Sequence, residues 1–338
     1  MTDYFRPLVQ IGPARPDTAV SLAGGWGWFT HAEVLSRSTP PRVVPAADIP
    51  ASVMARLTAP RPAMAGLTLD RPRIMGILNT TPDSFSDGGQ HNAVPDALRV
   101  AQEMVAAGAD ILDIGGESTR PGADFVPVSG EITRTAPVIA ALRGAGLHTP
   151  ISIDTRKAAV AEAAVNAGAN LVNDVSGFTF DPALGPLCQK LALPVCVMHA
   201  QGDPATMHLD PQYDNVLLDV FDALERQISM LEASGIPRGA ILADPGIGFG
   251  KTQDHNLALL ARLSLFHALG TPILLGVSRK RFIGTIGNAP QAQDRAPGSI
   301  AVALAGLGQG VQMIRVHDVD DTRQAVALWH AAYFGSIL

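Results

Sequence analysis

The sequence predicts a (β/α)8 TIM barrel preceded by an N-terminal extension, and three observations support this prediction. From Arg73 onward, eight short apolar runs alternate with segments of helical periodicity. Many of the helical segments end in glycine, the residue that most often terminates a helix. The strand–helix pairs occupy roughly 260 residues, close to the ~250 that are typical of this barrel. An open, doubly wound sheet is the alternative that the same alternation allows.

The predicted elements follow one another regularly along the chain. The strands are Ile74–Leu78, Ile111–Ile114, Ile151–Ile153, Leu171–Val172, Pro194–Met198, Ile241–Ala243, Ile273–Val277 and Met313–Val316. The helices are Ala97–Ala107, Glu131–Arg143, Ala158–Ala167, Ala183–Leu191, Val216–Ala233, Asn256–Leu263, Gly298–Leu307 and Thr322–Phe334. In a barrel of this kind the chemistry lies at the carboxyl ends of the strands, so functional residues are expected there.

Residues 1–70 differ from the predicted barrel, which takes up residues 71–338. They are rich in Pro, Ala and Arg and contain no catalytic pattern, although Ala46–Leu57 is a candidate short helix. The aromatic residues Trp26 and Trp28 favour a segment packed on the barrel over a flexible tail. The sequence predicts no function for this extension.

Composition argues against several functional classes. The net charge of −6 gives no reason to expect general nucleic-acid affinity. We expect no membrane span, because the chain has no run of about 18 apolar residues, and its first residues do not resemble a signal peptide. Cys188 and Cys196 have neither metal-site nor redox-motif spacing, so reduced thiols in a cytoplasmic protein are the expectation.

The stretch from Arg73 to Gly89 shows the pattern that recurs at the later strands. An apolar strand stops at Asn79, and a polar segment containing Pro82 and Gly88-Gly89 can only be a loop. Alone, this is equally typical of an ordinary strand and turn. Its recurrence after nearly every predicted strand favours a ligand site at one end of the barrel.

The polar residues at the strand ends fall into two chemical sets. Asp154, Asn173 and Asp244 accept hydrogen bonds, and Met198 adds a soft apolar wall. This set suits a flat heterocycle with an amidine-like or guanidine-like edge, because a carboxylate accepts two parallel N–H bonds from such an edge.

The second set consists mainly of donors and suits a phosphate group. Its members are Asn79, Thr119, Arg315 and His317. The carbonyl oxygen of Asn79 is also a candidate ligand for a divalent ion beside that phosphate. Lys280 fits either set.

Two tempting alternatives are rejected. The segment GIGFGKT places Pro245 where a phosphate-binding loop requires its first glycine. The histidines His199, His208 and His255 lack the spacing of metal ligands.

Several separate segments, in their order along the chain, form a recognisable set. They are MGILNTTPDSFSDGG, DIGGESTRPGA, ISIDT, NDVSG, VMHAQGDPATM, DPGIGFGK, GVSRKR and IRVHDV. In these segments the sequence resembles the dihydropteroate synthase family over about residues 73–330. The resemblance implies condensation of 6-hydroxymethyl-7,8-dihydropterin diphosphate with 4-aminobenzoate, with Mg²⁺ as cofactor and release of diphosphate. It also implies a homodimer that pairs through its late helices.

By the same resemblance, the two chemical sets acquire roles. The pterin side comprises Asp154, Asn173, Asp244 and Lys280, with Met198 and Arg315 lining it. Phe249 is a further substrate-binding position. The diphosphate side comprises Thr119, Arg315 and His317, with Asn79 as the metal contact. Arg120 and Ser278 match positions near the aminobenzoate, and Lys280, Arg315 and His317 match the catalytic positions. The loops Thr80–His91 and Thr119–Gly130 would close over this substrate through Phe85 and Pro121.

Two other functions use a similar barrel. A methyltetrahydrofolate methyltransferase domain would keep the acceptor set but has no use for a diphosphate site, so the STRPG and RVHDV segments argue against it. A non-catalytic pterin-binding protein should have lost some of the strand-end polar groups, and this chain retains them. Two departures from the family pattern are Thr80, where Val is usual, and Arg281, where Ser is common.

Overall fold

The computed structural model describes residues 3–81, 93–118, 125–202, 207 and 210–337. The chain begins with short antiparallel strands. They are β1 Tyr4–Pro7, β2 Val20–Ser21, β3 Trp28–Phe29, β4 His31–Leu35 and β5 Arg42–Pro45. Strand β4 lies between β1 and β5, and β2 pairs with β3. The predicted helix over Ala46–Leu57 is a 3-10 turn, Ala46–Asp48, followed by helix α1, Ala51–Thr58. Pro50 separates the two because proline restricts the preceding residue to extended backbone.

The next eight strands in the described chain form one parallel sheet. They are β6 Arg73–Asn79, β7 Ile111–Gly115, β8 Ile151–Asp154, β9 Leu171–Asp174, β10 Val195–Met198, β11 Ile241–Asp244, β12 Leu274–Leu275 and β13 Met313–Val316. Their order is β11-β10-β9-β8-β7-β6-β13-β12. A parallel bridge between Ala243 and Ile273 joins the two end strands. The sheet therefore closes on itself, and the predicted barrel is confirmed over the open sheet.

Helices alternate with these strands around the barrel. They are α2 Ala93–Ala106, α3 Val128–Gly144, α4 Ala158–Ala167, α5 Leu184–Lys190, α6 Val216–Ala233, α7 Gln253–Leu260, α8 Arg281–Ile286, α9 Ala296–Gly308 and α10 Val319–Phe334. Short 3-10 turns lie at Arg238–Ala240, Leu263–Leu269 and Ala292–Arg295. Helix α4 ends at Gly168 with φ of 118°, a conformation that glycine adopts without strain. No helix in the described ranges is long and apolar enough to cross a membrane.

Side chains alternate along each strand between the barrel interior and the surrounding helices. The inward residues near the strand starts form a separate apolar cluster with Met64 and Leu69 of the preceding segment. This cluster contains Met75, Ile111, Leu171, Cys196, Leu242, Leu274 and Met313. Further along the strands, the next one or two inward-facing side chains are polar. The barrel interior is therefore apolar at the amino ends of the strands, which we call the floor, and polar at their carboxyl ends, which we call the mouth.

The N-terminal strands and α1 pack on the outside of the barrel. Tyr4 donates a hydrogen bond to Asp222 of α6 at 2.9 Å, and Trp26 Nε1 donates to the carbonyl of Leu307 at the end of α9 at 2.9 Å. Phe29 is fully buried in an apolar cluster that includes Ala268 of the barrel. These contacts attach the N-terminal strands to one side of the barrel. Met64 and Leu69 attach the end of the N-terminal segment to its floor.

Candidate active site

The polar residues predicted from the sequence converge at the mouth of the barrel. Each one that the structure describes lies at the carboxyl end of a strand or in the loop that follows it. They are Asn79, Asp154, Asn173, Met198, Asp244, Phe249, Ser278, Lys280, Arg315 and His317. Thr119, Arg120, Phe85 and Pro121 lie outside the described residues, as do most of the two loops expected to close over the site.

Arg315 of β13 connects the carboxylates of two other strands. Its Nε donates to Asp113 Oδ2 at 2.6 Å, and its Nη2 donates to Asp154 Oδ2 at 2.8 Å. Asp113 Oδ2 also accepts from Asn173 Nδ2 at 3.1 Å. Although burial works in the other direction, Asp113 and Asp154 raise the pKa of Arg315, so the guanidinium stays charged. This network fixes the acceptor side of the mouth.

Burial raises the pKa of Asp154, and Arg315 opposes that rise. The pKa of Asp154 rises to about 7, and the 2.8 Å ion pair with Arg315 favours its ionised form. Asp113 Oδ1 is buried without a hydrogen-bond partner among the described residues. A hydrogen bond from a ligand N–H to a buried carboxylate oxygen without a partner is stronger than the same bond in water.

Asp244 occupies the opposite edge of the acceptor side. It is 6% exposed, and its Oδ1 accepts from the backbone N–H of Gly246 at 2.7 Å. Burial raises the pKa of Asp244, and the Gly246 N–H opposes the rise. Asp244 and Asn173 thus present oxygen atoms from neighbouring parts of the mouth, where the sequence predicts the edge of a flat heterocycle.

The loop after β11 is held by a buried lysine. Lys251 Nζ lies 2.8 Å from the carbonyl of Gly246, 3.0 Å from that of Phe249 and 2.9 Å from His199 Nδ1. Gly246 has φ of +66°, and a Cβ there would lie 1.8 Å from the carbonyl oxygen of His199. Only glycine fits this turn, which brings the loop against the end of β10.

The same loop carries Phe249 to the site. Lys280 Nζ lies 4.1 Å from the centre of the Phe249 ring, within the range of a cation–π interaction. A cavity of about 310 Å³ opens on Phe249 and on Arg156, which stacks on Phe180 at 4.1 Å. Lys280 and Phe249 therefore form one wall of the mouth, and the cavity lies beside it.

On the donor side, Ser278 and His317 are in direct contact. Ser278 Oγ lies 2.9 Å from His317 Nδ1 and accepts from the backbone N–H of His317 at 3.1 Å. The resemblance links Ser278 with the aminobenzoate, but its bonds in the structure run to His317. The resemblance places Arg315 on both the pterin side and the diphosphate side. In the structure, two of its N–H groups donate hydrogen bonds to carboxylates of the acceptor side.

Asn79 is the last residue of β6 and is partly exposed at the mouth. No cluster of three His, Cys, Asp or Glu side chains suited to a metal exists among the described residues. Mg²⁺ in proteins commonly keeps several waters and takes one or two protein oxygens together with substrate phosphates. The amide oxygen of Asn79 fits such an ion arriving with a diphosphate, whereas the described residues offer no complete protein cage.

A buried ionic cluster, unpredicted from the sequence, joins both ends of the segment between β7 and α3. Lys157 Nζ lies 2.6 Å from Glu131 Oε2, 3.2 Å from Glu117 Oε2 and 2.6 Å from the carbonyl of Val126. Against the effect of burial, the Val126 N–H and Arg156 hold the pKa of Glu117 below its usual value. These five residues are the anchoring cluster. They fix the chain on either side of residues 119–124.

Comparison with known proteins gives a consistent answer. The family described as pterin binding enzymes matches residues 75–317. Dihydropteroate synthase of Synechocystis sp. is 44% identical over 257 residues, covering 75% of this chain and 89% of that protein. The Escherichia coli enzyme of the same name is 44% identical over 255 residues, with the same two coverages.

Solved structures with bound ligands are also similar. Dihydropteroate synthase of Xanthomonas albilineans with 4-aminobenzoic acid matches with a TM-score of 0.75 and 45% identity, covering 79% of this chain and 96% of that one. The enzyme from the same organism in complex with 7,8-dihydropteroate matches with a TM-score of 0.72 and 42% identity, covering 79% and 95%.

Proposed function

The chain belongs to the family of pterin-binding enzymes, and we propose that it acts within that family as a dihydropteroate synthase. It is a transferase of folate biosynthesis. The reaction joins 6-hydroxymethyl-7,8-dihydropterin diphosphate to 4-aminobenzoate and yields 7,8-dihydropteroate and diphosphate. The relatives argue for this activity and against the methyltransferase alternative.

One observation from the structure carries the proposal, namely the division of the barrel mouth into an acceptor side and a donor side. Asp154, Asn173 and Asp244 supply the acceptors. The pterin has a guanidine-like edge, and buried carboxylates and amide oxygens bind its N–H groups through charge-assisted hydrogen bonds. Met198, only 2% exposed, offers a polarisable surface to the ring.

The donor side suits the diphosphate. His317 directly follows strand β13, and Asn79 ends the neighbouring strand β6. When bound with the diphosphate, Mg²⁺ would supply positive charge beside the oxygens of the leaving group. Asn79 is the described residue that would contribute a ligand oxygen to it.

The chemical step then needs little acid–base catalysis from the protein. The bond between the pterin methylene carbon and the diphosphate oxygen breaks, and a bond from that carbon to the aromatic nitrogen forms. The amine is neutral at pH 7, and after attack its nitrogen releases one proton to solvent. The residues of the mouth act by orienting the two substrates and by stabilising charge on the leaving diphosphate.

The decisive experiment measures diphosphate release from the pterin diphosphate with and without 4-aminobenzoate. We expect release to depend on the aminobenzoate and to equal the dihydropteroate formed, measured by mass spectrometry. Asp244→Asn should lower the activity, whereas Asp294→Asn, at an exposed position outside the site, is the matched control. Aminobenzoate-independent release, or no release by a folded protein, would refute the proposal.

We further propose that the protein works as a homodimer through α9 and α10, which pack together. Helix α9 contains no charged residue, yet Ala301 and Ala305 are exposed on it, and Leu328 and Tyr333 of α10 are 65% and 51% exposed. These exposed apolar side chains favour association with a second copy. Sedimentation equilibrium should give a dimer for the native chain and a monomer for Leu328→Glu. A native monomer at micromolar concentration would contradict it.

A cytoplasmic location is also proposed. The free thiols of Cys188 and Cys196, both buried, support it, because reducing compartments keep cysteines unpaired. Fractionation of the producing cells should recover the protein in the cytoplasm, and recovery from another compartment would contradict the proposal.

A further inference from the structure

Asp113 is a buried carboxylate that lies beneath the acceptor side of the mouth. It belongs to β7 and is 0% exposed. Two residues further along β7, Gly115 is level with Asp154 of β8, which in turn is level with Asn173 of β9. Since alternate side chains of a strand point the same way, Asp113 is one inward position nearer the floor than Asn173. It therefore reaches the acceptor side from below.

One oxygen of Asp113 binds two side chains from other strands. Its Oδ2 accepts from Arg315 Nε at 2.6 Å and from Asn173 Nδ2 at 3.1 Å. Strand β8 lies between β7 and β9, and β6 lies between β7 and β13, so both bonds cross the barrel interior instead of joining paired strands. Asn173 is 3% exposed. The shared oxygen therefore joins three non-adjacent strands where little water reaches.

This contact determines which way the amide of Asn173 points. Asp113 forms an ion pair with Arg315, and an ionised carboxylate only accepts hydrogen bonds. An amide oxygen in place of Nδ2 would bring two acceptors within 3.1 Å of each other, so the NH2 group must face Asp113. The amide oxygen then points away from Asp113, and one of the two Nδ2 hydrogens remains for a ligand. Asn173 thus offers an acceptor and a donor in a fixed order.

We propose that Asp113 is a positioning residue that acts through Asn173, by holding the amide so that its oxygen accepts a hydrogen bond from an N–H group of the pterin. Arg315 supports this role, because it holds the same oxygen of Asp113. The proposal rests on the proposed function and deepens it. A heterocycle that places an acceptor opposite the amide oxygen is refused, because a buried polar group would be left unpaired.

Two substitutions of Asp113 separate positioning from the other roles that its carboxylate could have. Asp113→Leu removes both oxygens, so Arg315 Nε draws the oxygen of Asn173 toward itself and the amide turns round. We expect a loss of roughly 10–100-fold in affinity for a non-reactive pterin, measured by calorimetric titration. Asp113→Asn keeps an oxygen beside the two donors and should keep most of the affinity. Asp294→Asn, at an exposed position outside the site, is the matched control.

The effect of Asp113 should require Asn173. In an Asn173→Ala background, Asp113→Leu should cause little further loss of affinity. An equal loss with and without Asn173 would overturn the proposal, because Asp113 would then act by another route. An equal loss in Asp113→Asn and Asp113→Leu would also overturn it, since the negative charge, or direct contact of the buried Oδ1 with the ligand, would then be what matters. Melting curves without ligand establish that each variant is folded.

A spectroscopic test on the native protein needs neither a ligand nor a variant of Asp113. In protein with ¹⁵N-labelled asparagine and arginine, the side-chain resonances are identified by their loss in Asn173→Ala and Arg315→Lys. The hydrogens on Asn173 Nδ2 and Arg315 Nε approach the same oxygen, so a nuclear Overhauser effect should connect them. Both resonances without this effect would refute the inference. Because no substrate is present, its failure is distinguishable from failure of the proposed function.

Discussion

At the scale of single residues, the two carboxylates that we propose bind the pterin are Asp154 and Asp244. We predict that Asp154→Asn and Asp244→Asn each weaken binding of a non-reactive pterin by about 1.5–3 kcal/mol, because an amide cannot form the charge-assisted bond. Calorimetric titration measures the loss, with Asp294→Asn as the control. Asp154→Asn also removes a partner of Arg315. Unchanged affinity in both variants would exclude the pterin assignment.

Lys251 gives the protein a stability that depends on pH. Burial lowers the pKa of Lys251 to about 7. Below that pH the folded and unfolded chains both hold the proton. As the pH rises toward the pKa of the unfolded lysine, only the unfolded chain holds it, so the free energy of unfolding rises.

We therefore predict that Lys251→Met destabilises the protein more at pH 9 than at pH 6.5. The substitution also leaves the carbonyls of Gly246 and Phe249 without this donor, at a cost of roughly 1–3 kcal/mol for each stranded group. Urea denaturation at the two pH values measures both effects, with exposed Lys190→Met as the control. An equal loss at both pH values would contradict the stated ionisation of Lys251.

Single residues also show where sequence reasoning stops. The strand-end residues were predictable because a polar group that ends an apolar run is visible in the sequence. Asp113 was missed because it lies inside the run Ile111–Gly115, although a charge in a buried strand is itself a signal of a paired group. Lys251 was set aside with a failed phosphate-loop motif, and its contacts with His199 depend on a separation of 52 residues.

At the scale of elements, the anchoring cluster links β7, α3 and the start of α4. Lys157 and Glu131 are 2% and 0% exposed. We predict that Lys157→Met lowers the free energy of unfolding by about 3–5 kcal/mol, because it strands a buried carboxylate. Combining it with Glu131→Leu, which removes that carboxylate, should recover much of the loss. Chemical denaturation tests this, and a double variant less stable than Lys157→Met would contradict the charge argument.

The elements themselves were largely predictable. Helix α6 has the predicted bounds, Val216–Ala233, because its amphipathic pattern is long and begins at the cap Asn215. Helix α7 begins three residues earlier than predicted because Thr252 and His255 form a capping box. Strand β12 is shorter than the apolar run Ile273–Val277, since only Leu274 and Leu275 pair with β13 before the chain enters the site.

At the scale of the molecule, the barrel could be predicted and the arrangement of the N-terminal residues could not. Alternating patterns are local and therefore visible along the sequence. The contacts of the N-terminal segment join residues far apart, such as Tyr4 with Asp222 and Trp26 with Leu307. Trp26 and Trp28 did signal packing, but not against which surface.

The position of the N-terminal segment predicts what its removal does. Residues 60–70 contribute Met64 and Leu69 to the floor of the barrel, whereas residues 3–59 cover its side. A chain beginning at residue 60 should keep its affinity for the pterin, because the polar side chains of the mouth begin at Asn79. Its melting temperature should fall, by about 2–4 °C for each kcal/mol of packing lost.

A chain beginning at residue 71 should be less stable again. It loses two further apolar side chains, 1% and 2% exposed, that belong to the same apolar cluster as Met75 and Leu274. Cavities of this kind cost about 2–5 kcal/mol for each large side chain removed. Melting curves and pterin titration on both truncations test the division between floor and mouth. If the chain beginning at residue 60 folds but no longer binds the pterin, the N-terminal segment supports the mouth as well as the floor.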